Sequence, residues 1–281
     1  MKLKNLNVQP TALLAELVGT FILVVVAITV ANPIIVGFTM LILVIAIGAV
    51  SGAHVNPAVT FGLWASRKLD GIKVPFYWIM QFTGAIAALF VAQWFQGNGL
   101  GVSFGSFGSF EPKIFVAEIL GTAVFTFTVA AAVSRKDLTE SAKALGVGLG
   151  LLAGLAVGGG LLGAASQSAT PAATASRISR VDGVTVNPAV ALASTEKEAQ
   201  TSLQSLTGQA APAKSTKPVS RLTWETLVGT LLGGAIGTTL YVVTTGANPF
   251  VAEKKSVGAT VTAVFKKGEK KAKKVVKKGK K

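Results

Sequence analysis

Two copies of one tripeptide carry the clearest chemistry in this chain: Asn56-Pro57-Ala58 and Asn187-Pro188-Ala189. Proline suits the first turn of a helix, where its missing N–H costs nothing. Asparagine suits the N-cap, because its side-chain oxygen accepts from the backbone of that turn. Each tripeptide therefore predicts a helix that starts with an amide at its tip. The helix dipole gathers partial positive charge there, and the amide nitrogen adds N–H donors. Such a tip suits the oxygen of a small neutral solute and opposes a cation. One copy alone would read as a turn signal; two copies inside longer repeats point to a paired site.

Few other groups could react. Glu16 and Glu118 sit in long apolar runs, and a carboxylate at membrane depth marks either a proton relay or a structural acceptor. His54 stands two residues before Asn56 and reads as a hydrogen-bonded loop histidine, with a pH gate as the alternative. Gln81 reads as a packing or hydrogen-bonding side chain. The chain has no Cys and a single His, which excludes disulfides, thiol nucleophiles and multi-histidine metal clusters. No nucleotide-binding loop and no nucleophile with a base appears, so neither an enzyme nor a cofactor is expected.

The elements that must position these residues are membrane spans. Of the 281 residues 51% are apolar and only 14% charged, with a mean hydropathy of +0.59; an ordinary soluble domain carries roughly 25% charged. Six segments, about 12–31, 34–50, 75–96, 114–134, 142–163 and 223–245, are apolar enough to span a bilayer, which takes about 20 residues each. The first run is too long for a signal peptide and lacks a small-residue cleavage site, so it reads as an uncleaved span. Short connections on one side are basic, with Arg67, Lys68, Lys73, Arg135, Lys136 and Lys143, while those opposite offer only Lys113. The positive-inside rule then puts both termini in the cytoplasm of a cell-membrane protein.

The halves repeat. AELVGTF at 15–21 recurs as AEILGTA at 117–123, VNPAVT at 55–60 as VNPAVA at 186–191, and GAIAALF at 84–90 as GAIGTTL at 234–240. Three spans per half is an odd number, so the second copy enters the membrane inverted, a mark of transport proteins with a site near the midplane. The apolar stretch after each tripeptide is only about half a membrane long. The two half-helices would enter from opposite faces and meet tip to tip, which is tolerated only inside protein or beside a water-filled cavity. This divides the chain into a cytoplasmic N-terminus (1–11), a first half (12–96), an external connection (97–113) and a second half (114–245), followed by a basic cytoplasmic tail (246–281). Long external insertions fall near 164–186 and 195–222.

On both NPA boxes, both AExxGT motifs and SGAHVNPAVT, the chain resembles the major intrinsic protein family of aquaporins and glycerol facilitators, over about residues 12–245. The resemblance implies an all-α membrane protein: a right-handed bundle of six transmembrane helices plus two re-entrant half-helices in an inverted repeat. It implies a homotetramer with one passive pore per subunit. It also implies that Glu16 and Glu118 accept hydrogen bonds from the re-entrant loops, and that His54 faces the cytoplasmic vestibule. Most members of the family carry Arg directly after the second NPA, as part of a narrow selectivity filter; here that position is Val190. The remaining filter positions fall by resemblance at Val36, Val184 and Leu155, giving an entirely apolar filter. A broader pore is expected, passing glycerol, urea, ammonia or hydrogen peroxide as well as water.

Charge is concentrated in the tail. Residues 251–281 hold twelve Lys against Glu253 and Glu269, which is +10 of the net +15. Such a segment cannot build a core. Its lysines suit anionic lipid, and the absence of interleaved aromatics beyond Phe265 argues against nucleic acid. Two competitors to a channel remain: a proton-coupled transporter using Glu16 or Glu118, and a non-conducting membrane scaffold.

Overall fold

The computed structural model describes residues 8–167, 177–197 and 219–246. Residues 1–7, 168–176 and 198–218 of the two inserted connections, and 247–281 of the lysine-rich tail lie outside them. The described residues as far as Tyr241 form one compact unit.

Among the described residues eight α-helices follow in order: α1 (Pro10–Thr29), α2 (Pro33–Ser51), α3 (Pro57–Ala65), α4 (Lys73–Phe95), α5 (Pro112–Ser134), α6 (Glu140–Gln167), α7 (Pro188–Ala193) and α8 (Trp224–Thr245). All but α3 and α7 are long and apolar enough to cross a membrane. Proline opens α1, α2, α3, α5 and α7, at the position where it removes no intrahelical hydrogen bond. Asn32 caps α2 by accepting from Ile34 and Ile35 N–H, and Gly52 ends it in the left-handed conformation at φ +91°. α6 runs past residue 164 to Gln167, so the connection after it starts later than composition alone indicated.

The polarity of the bundle is that of a protein in lipid. Large apolar side chains such as Leu14, Ile42, Ile45, Trp94 and Phe95 face outward, while Glu16, Gln81, Glu118, Thr122 and Glu225 are fully buried. Lipid offers no hydrophobic force between helices, so close backbone approach has to hold them together. α1 packs on α4 and α2, and α6 on α5 and α2. Gly84 lets α4 touch α1, since a Cβ there would lie 2.4 Å from the Leu17 carbonyl oxygen. Gly233 does the same for α8 on α5, 2.5 Å from the Ile119 carbonyl oxygen. Leu17 and Ile119 hold the same position in the repeated AExxGT segment, so the two halves use one packing solution. The fold is an all-α, multi-pass membrane bundle.

Candidate functional site

The two short helices bring the repeated tripeptides together. α3 has nine residues and α7 six, about 13 Å and 9 Å at 1.5 Å per residue, each less than half of a roughly 30 Å hydrocarbon core. Asn56 caps α3, its Oδ1 accepting from Ala58 N–H at 2.8 Å, and Asn187 caps α7, its Oδ1 accepting from Ala189 N–H at 2.9 Å. Their nitrogens cross over. Asn56 Nδ2 donates to the Val186 carbonyl at 2.8 Å, and Asn187 Nδ2 donates to the Val55 carbonyl at 3.0 Å. An amide nitrogen carries two N–H groups, so each asparagine keeps one beyond this cross-link.

The carbonyls can receive these donors because the residue before each asparagine is turned into the left-handed region, Val55 at φ +41° and Val186 at φ +47°. A β-branched residue there is strained, at a cost on the order of 1–3 kcal/mol. Buried carboxylates hold the turns. Glu16 accepts from Ser51 Oγ (2.7 Å), His54 N (2.9 Å), Val55 N (2.7 Å) and Gln81 Nε2 (2.7 Å). Glu118 accepts from Thr185 N (2.8 Å), Thr185 Oγ1 (3.0 Å) and Val186 N (2.9 Å). His54 is buried between Thr60 Oγ1, 3.1 Å from its Nδ1, and the Tyr77 ring, at a 5.0 Å centroid distance.

A cavity of about 810 Å³ reaches both asparagines. Its lining starts at Asn32 in the α1–α2 turn and Asn98 after α4, and continues inward to Met40 and Phe125 beside Asn56 and Asn187. Glu16, Glu118 and His54 do not line it.

Residues 2–241 match the sequence profile of the family described as Major intrinsic protein. The chain belongs to this family. The aquaporin PIP1-1 of Oryza sativa subsp. japonica is 40% identical over 99 residues, and the aquaporin PIP1-3/PIP1-4 of Zea mays 41% identical over 99 residues. Each alignment spans 34% of this chain and 34% of the relative, so it reaches about a third of the length of the curated proteins it matches. The aquaglyceroporin of Plasmodium falciparum shares the fold, with a TM-score of 0.52 at 18% identity over 82% of this chain and 94% of that one.

Val36, Leu155, Val184 and Val190, the positions that family resemblance singles out, all line the cavity. Their neighbourhood is not wholly apolar. Arg221 lines it as well, and is the sole basic residue to do so among the described residues. It arrives on the segment before α8. Thr195 and Ser220 form an antiparallel bridge, Arg221 N donates to Ser194 O at 2.9 Å, and Ser220 Oγ donates to the Ala191 and Leu192 carbonyls at the end of α7, each at 3.0 Å. That segment is thus laced to the far end of the half-helix. The guanidinium bonds the Gly183 carbonyl and stands 3.8 Å from Glu118 Oε1. Burial pulls the Arg221 guanidinium below its ordinary value, and Glu118 opposes that most strongly. A guanidinium does not lose its proton in a protein, so a fixed cation lies on the cavity wall.

A second cation is used differently. Arg177, in a short 3-10 turn (Arg177–Arg180), donates to Glu196 Oε1 through Nε (2.8 Å) and Nη2 (2.6 Å), and to Glu225 Oε1 through Nη1 (2.7 Å). Glu225 Oε1 also accepts from Glu111 N at 2.6 Å. Arg177 is absent from the cavity lining, and its bonds tie three connections to one buried carboxylate in α8. Sequence reasoning passed over both arginines. Glu225 could have been singled out as Glu16 and Glu118 were, as a carboxylate inside an apolar run; Arg221 carries no such local signal.

Proposed function

We propose that this chain is a passive transmembrane channel for water and small neutral solutes such as glycerol, urea, ammonia or hydrogen peroxide, excluding ions and protons at the paired asparagine tips. The observation that carries the reading is the crossed pair of Asn56 and Asn187 at the inner end of a cavity. Each amide spends its oxygen on its own half-helix and one N–H on the opposite loop, leaving one N–H for a solute oxygen. A solute that accepts two such hydrogen bonds replaces the water contacts it leaves behind. A cation finds donors and no acceptor at that point, and the α3 dipole adds to the barrier.

Val36, Leu155, Val184 and Val190 form the constriction on the approach to the asparagines. Glu16 and Glu118 serve as acceptors that hold the two left-handed turns, and His54 braces the first of them through Thr60. Neither carboxylate reaches the cavity wall, which supports a structural role over proton carriage. The subunit works as a homotetramer with one conduit each, in the cell membrane with both termini in the cytoplasm, and the lysine-rich tail rests on anionic lipid.

Stopped-flow light scattering on proteoliposomes tests the reading, with separate osmotic gradients for water and glycerol and with Val190→Arg beside the wild type. Expected is wild-type passage of both solutes, with the variant keeping water and losing glycerol. Wild-type rates equal to those of protein-free liposomes, from protein shown to be folded, would refute the channel and leave a scaffold.

A further inference from the structure

Resting on the channel reading, we propose that Arg221 is the charge-selective residue of the conduit, a cation supplied to the cavity wall by the segment before α8 and not by α7. Four observations carry it. Arg221 is the one basic residue on the cavity lining among the described residues. Its side chain is about nine-tenths buried, at 10% exposure, so water screens it little. Its backbone is held to Ser194, and Ser220 beside it to the last carbonyls of α7, so it does not swing freely. Finally, its bonds do not use up its donors: Nη2 is spent on Gly183 O, while the buried Nε has no hydrogen-bond partner among the described residues.

Among the described residues the wall carries one positive side chain, Arg221, and one negative, Asp182, and Glu118 and Glu196 also act on Arg221. Glu118 faces Arg221 from behind, off the cavity wall, and its oxygens are engaged by Thr185 and Val186. Asp182 lies on the wall, but Lys197 Nζ stands 2.6 Å from its Oδ1. A guanidinium offers five N–H donors and no acceptor. It therefore hydrogen-bonds to the oxygen of water, glycerol or urea and repels a monovalent cation. Val190 provides no charge, and Arg221 reaches the same wall from a different stretch of chain. Neutral solutes pass this point and cations are turned back before the asparagines.

The full chain has no Cys, so Arg221→Cys carries a single thiol that can be recharged at will. Proteoliposomes holding this variant would be measured for water flux and for Na+ and K+ leak. They would then be treated with a trimethylammonium-ethyl methanethiosulfonate or its anionic sulfonatoethyl counterpart. In each case the thiolate attacks the sulfenyl sulfur, a disulfide forms and methanesulfinate leaves. Expected is a cation leak at least about tenfold above wild type, from loss of a barely screened charge beside the path, with water flux retained. The cationic adduct should return the leak to the wild-type range and the anionic adduct should not.

Wild-type tightness in the untreated variant, equal effects of the two reagents, or a thiol that mass spectrometry shows unlabelled would each overturn the inference. Absence of water flux in the wild type would instead refute the channel itself, and the inference with it. Should Arg221→Cys misfold beside an unpaired Glu118, Arg221→Cys/Glu118→Gln removes that stranded charge, and the leak of its cationic and anionic adducts is compared within that one background.

Discussion

Replacing Glu16 with glutamine swaps one acceptor oxygen for an NH2 group in a pocket filled with donors. Oε1 of Glu16 takes Ser51 Oγ and His54 N, and Oε2 takes Val55 N and Gln81 Nε2. If the new nitrogen sits at the first place, the Ser51 hydroxyl can turn to accept, but His54 N–H is stranded. At the second place Gln81 can flip, presenting an Oε1 that otherwise has no partner, but Val55 N–H is stranded. Either way one buried backbone donor loses its acceptor, at about 1–3 kcal/mol, and the surviving bonds weaken by about 0.5–1 kcal/mol each on passing from a charged to a neutral acceptor. Relief from burying a carboxylate offsets part of this, leaving a loss of about 2–4 kcal/mol. For a chain of this size that is a fall in Tm of roughly 5–12 °C. Tryptophan fluorescence during thermal unfolding in detergent reports it directly, because Trp78 Nε1 donates to Pro57 O at the start of α3. Water flux should fall as well, since the Val55 carbonyl that receives Asn187 Nδ2 is no longer held. An unchanged Tm together with unchanged water flux would refute the bracing role of Glu16. Flux that follows a proton gradient in the wild type and not in the variant would assign it proton carriage instead.

Arg177→Met should lower stability by about 3–5 kcal/mol, because it strands buried Glu225 without its cation and leaves Glu196 with Arg180 alone, at 3.6 Å; thermal unfolding of Arg177→Met/Glu225→Gln should recover most of the loss. Gly233→Ala and Gly84→Ala each drive a Cβ to within 2.5 Å of a backbone carbonyl on the neighbouring helix, and each should cost about 1–3 kcal/mol by overpacking. Gly146→Ala, with nothing within 4 Å of its Cβ, should be neutral or stabilising by up to about 1 kcal/mol, and equal Tm values for all three would contradict this account of helix contact. A peptide of residues 251–281 should bind vesicles containing anionic lipid at about 1 kcal/mol per lysine near the surface, with binding lost as salt rises. Tighter binding to RNA than to such vesicles in a side-by-side titration would reassign the tail.

The bundle and the meeting of the half-helices were legible in the sequence because their causes are local and repeated. Proline after asparagine starts a helix at Asn32, Asn56 and Asn187, and the odd number of spans in each half forces the inversion. Glu16 and Glu118 stood out because a charge inside an apolar run requires a reason. Arg221 could not be found this way. Its place depends on Ser220 reaching the end of α7 and on Gly183 presenting a carbonyl at φ +130°, contacts between segments that composition does not link. The expectation of an apolar filter rested on Val36, Leu155, Val184 and Val190, while the wall of the cavity is assembled from six helices and five connections, one of which carries Arg221. Arg177 escaped for the same reason: its partners Glu196, Glu225 and Ser109 come from three separate stretches of chain.

The internal repeat also makes the asymmetry of the site informative. Asn56 and Asn187, Val55 and Val186, and Glu16 and Glu118 perform matching steps in the two halves, down to the left-handed turn and the crossed amides. The supports behind them differ. Glu16 is surrounded by neutral donors, two from backbone and two from the side chains of Ser51 and Gln81. Among the described residues Glu118 has donors from Thr185 and Val186 alone, and Arg221 stands 3.8 Å away as its cation. Both halves line the cavity, but only the brace of the second includes a cation, and one arginine both balances Glu118 and charges the wall. Thr185 and Val186 still hold Glu118 when Arg221 is neutralised, so a cation leak and a lower Tm should appear together in such a variant, with the second turn kept in place.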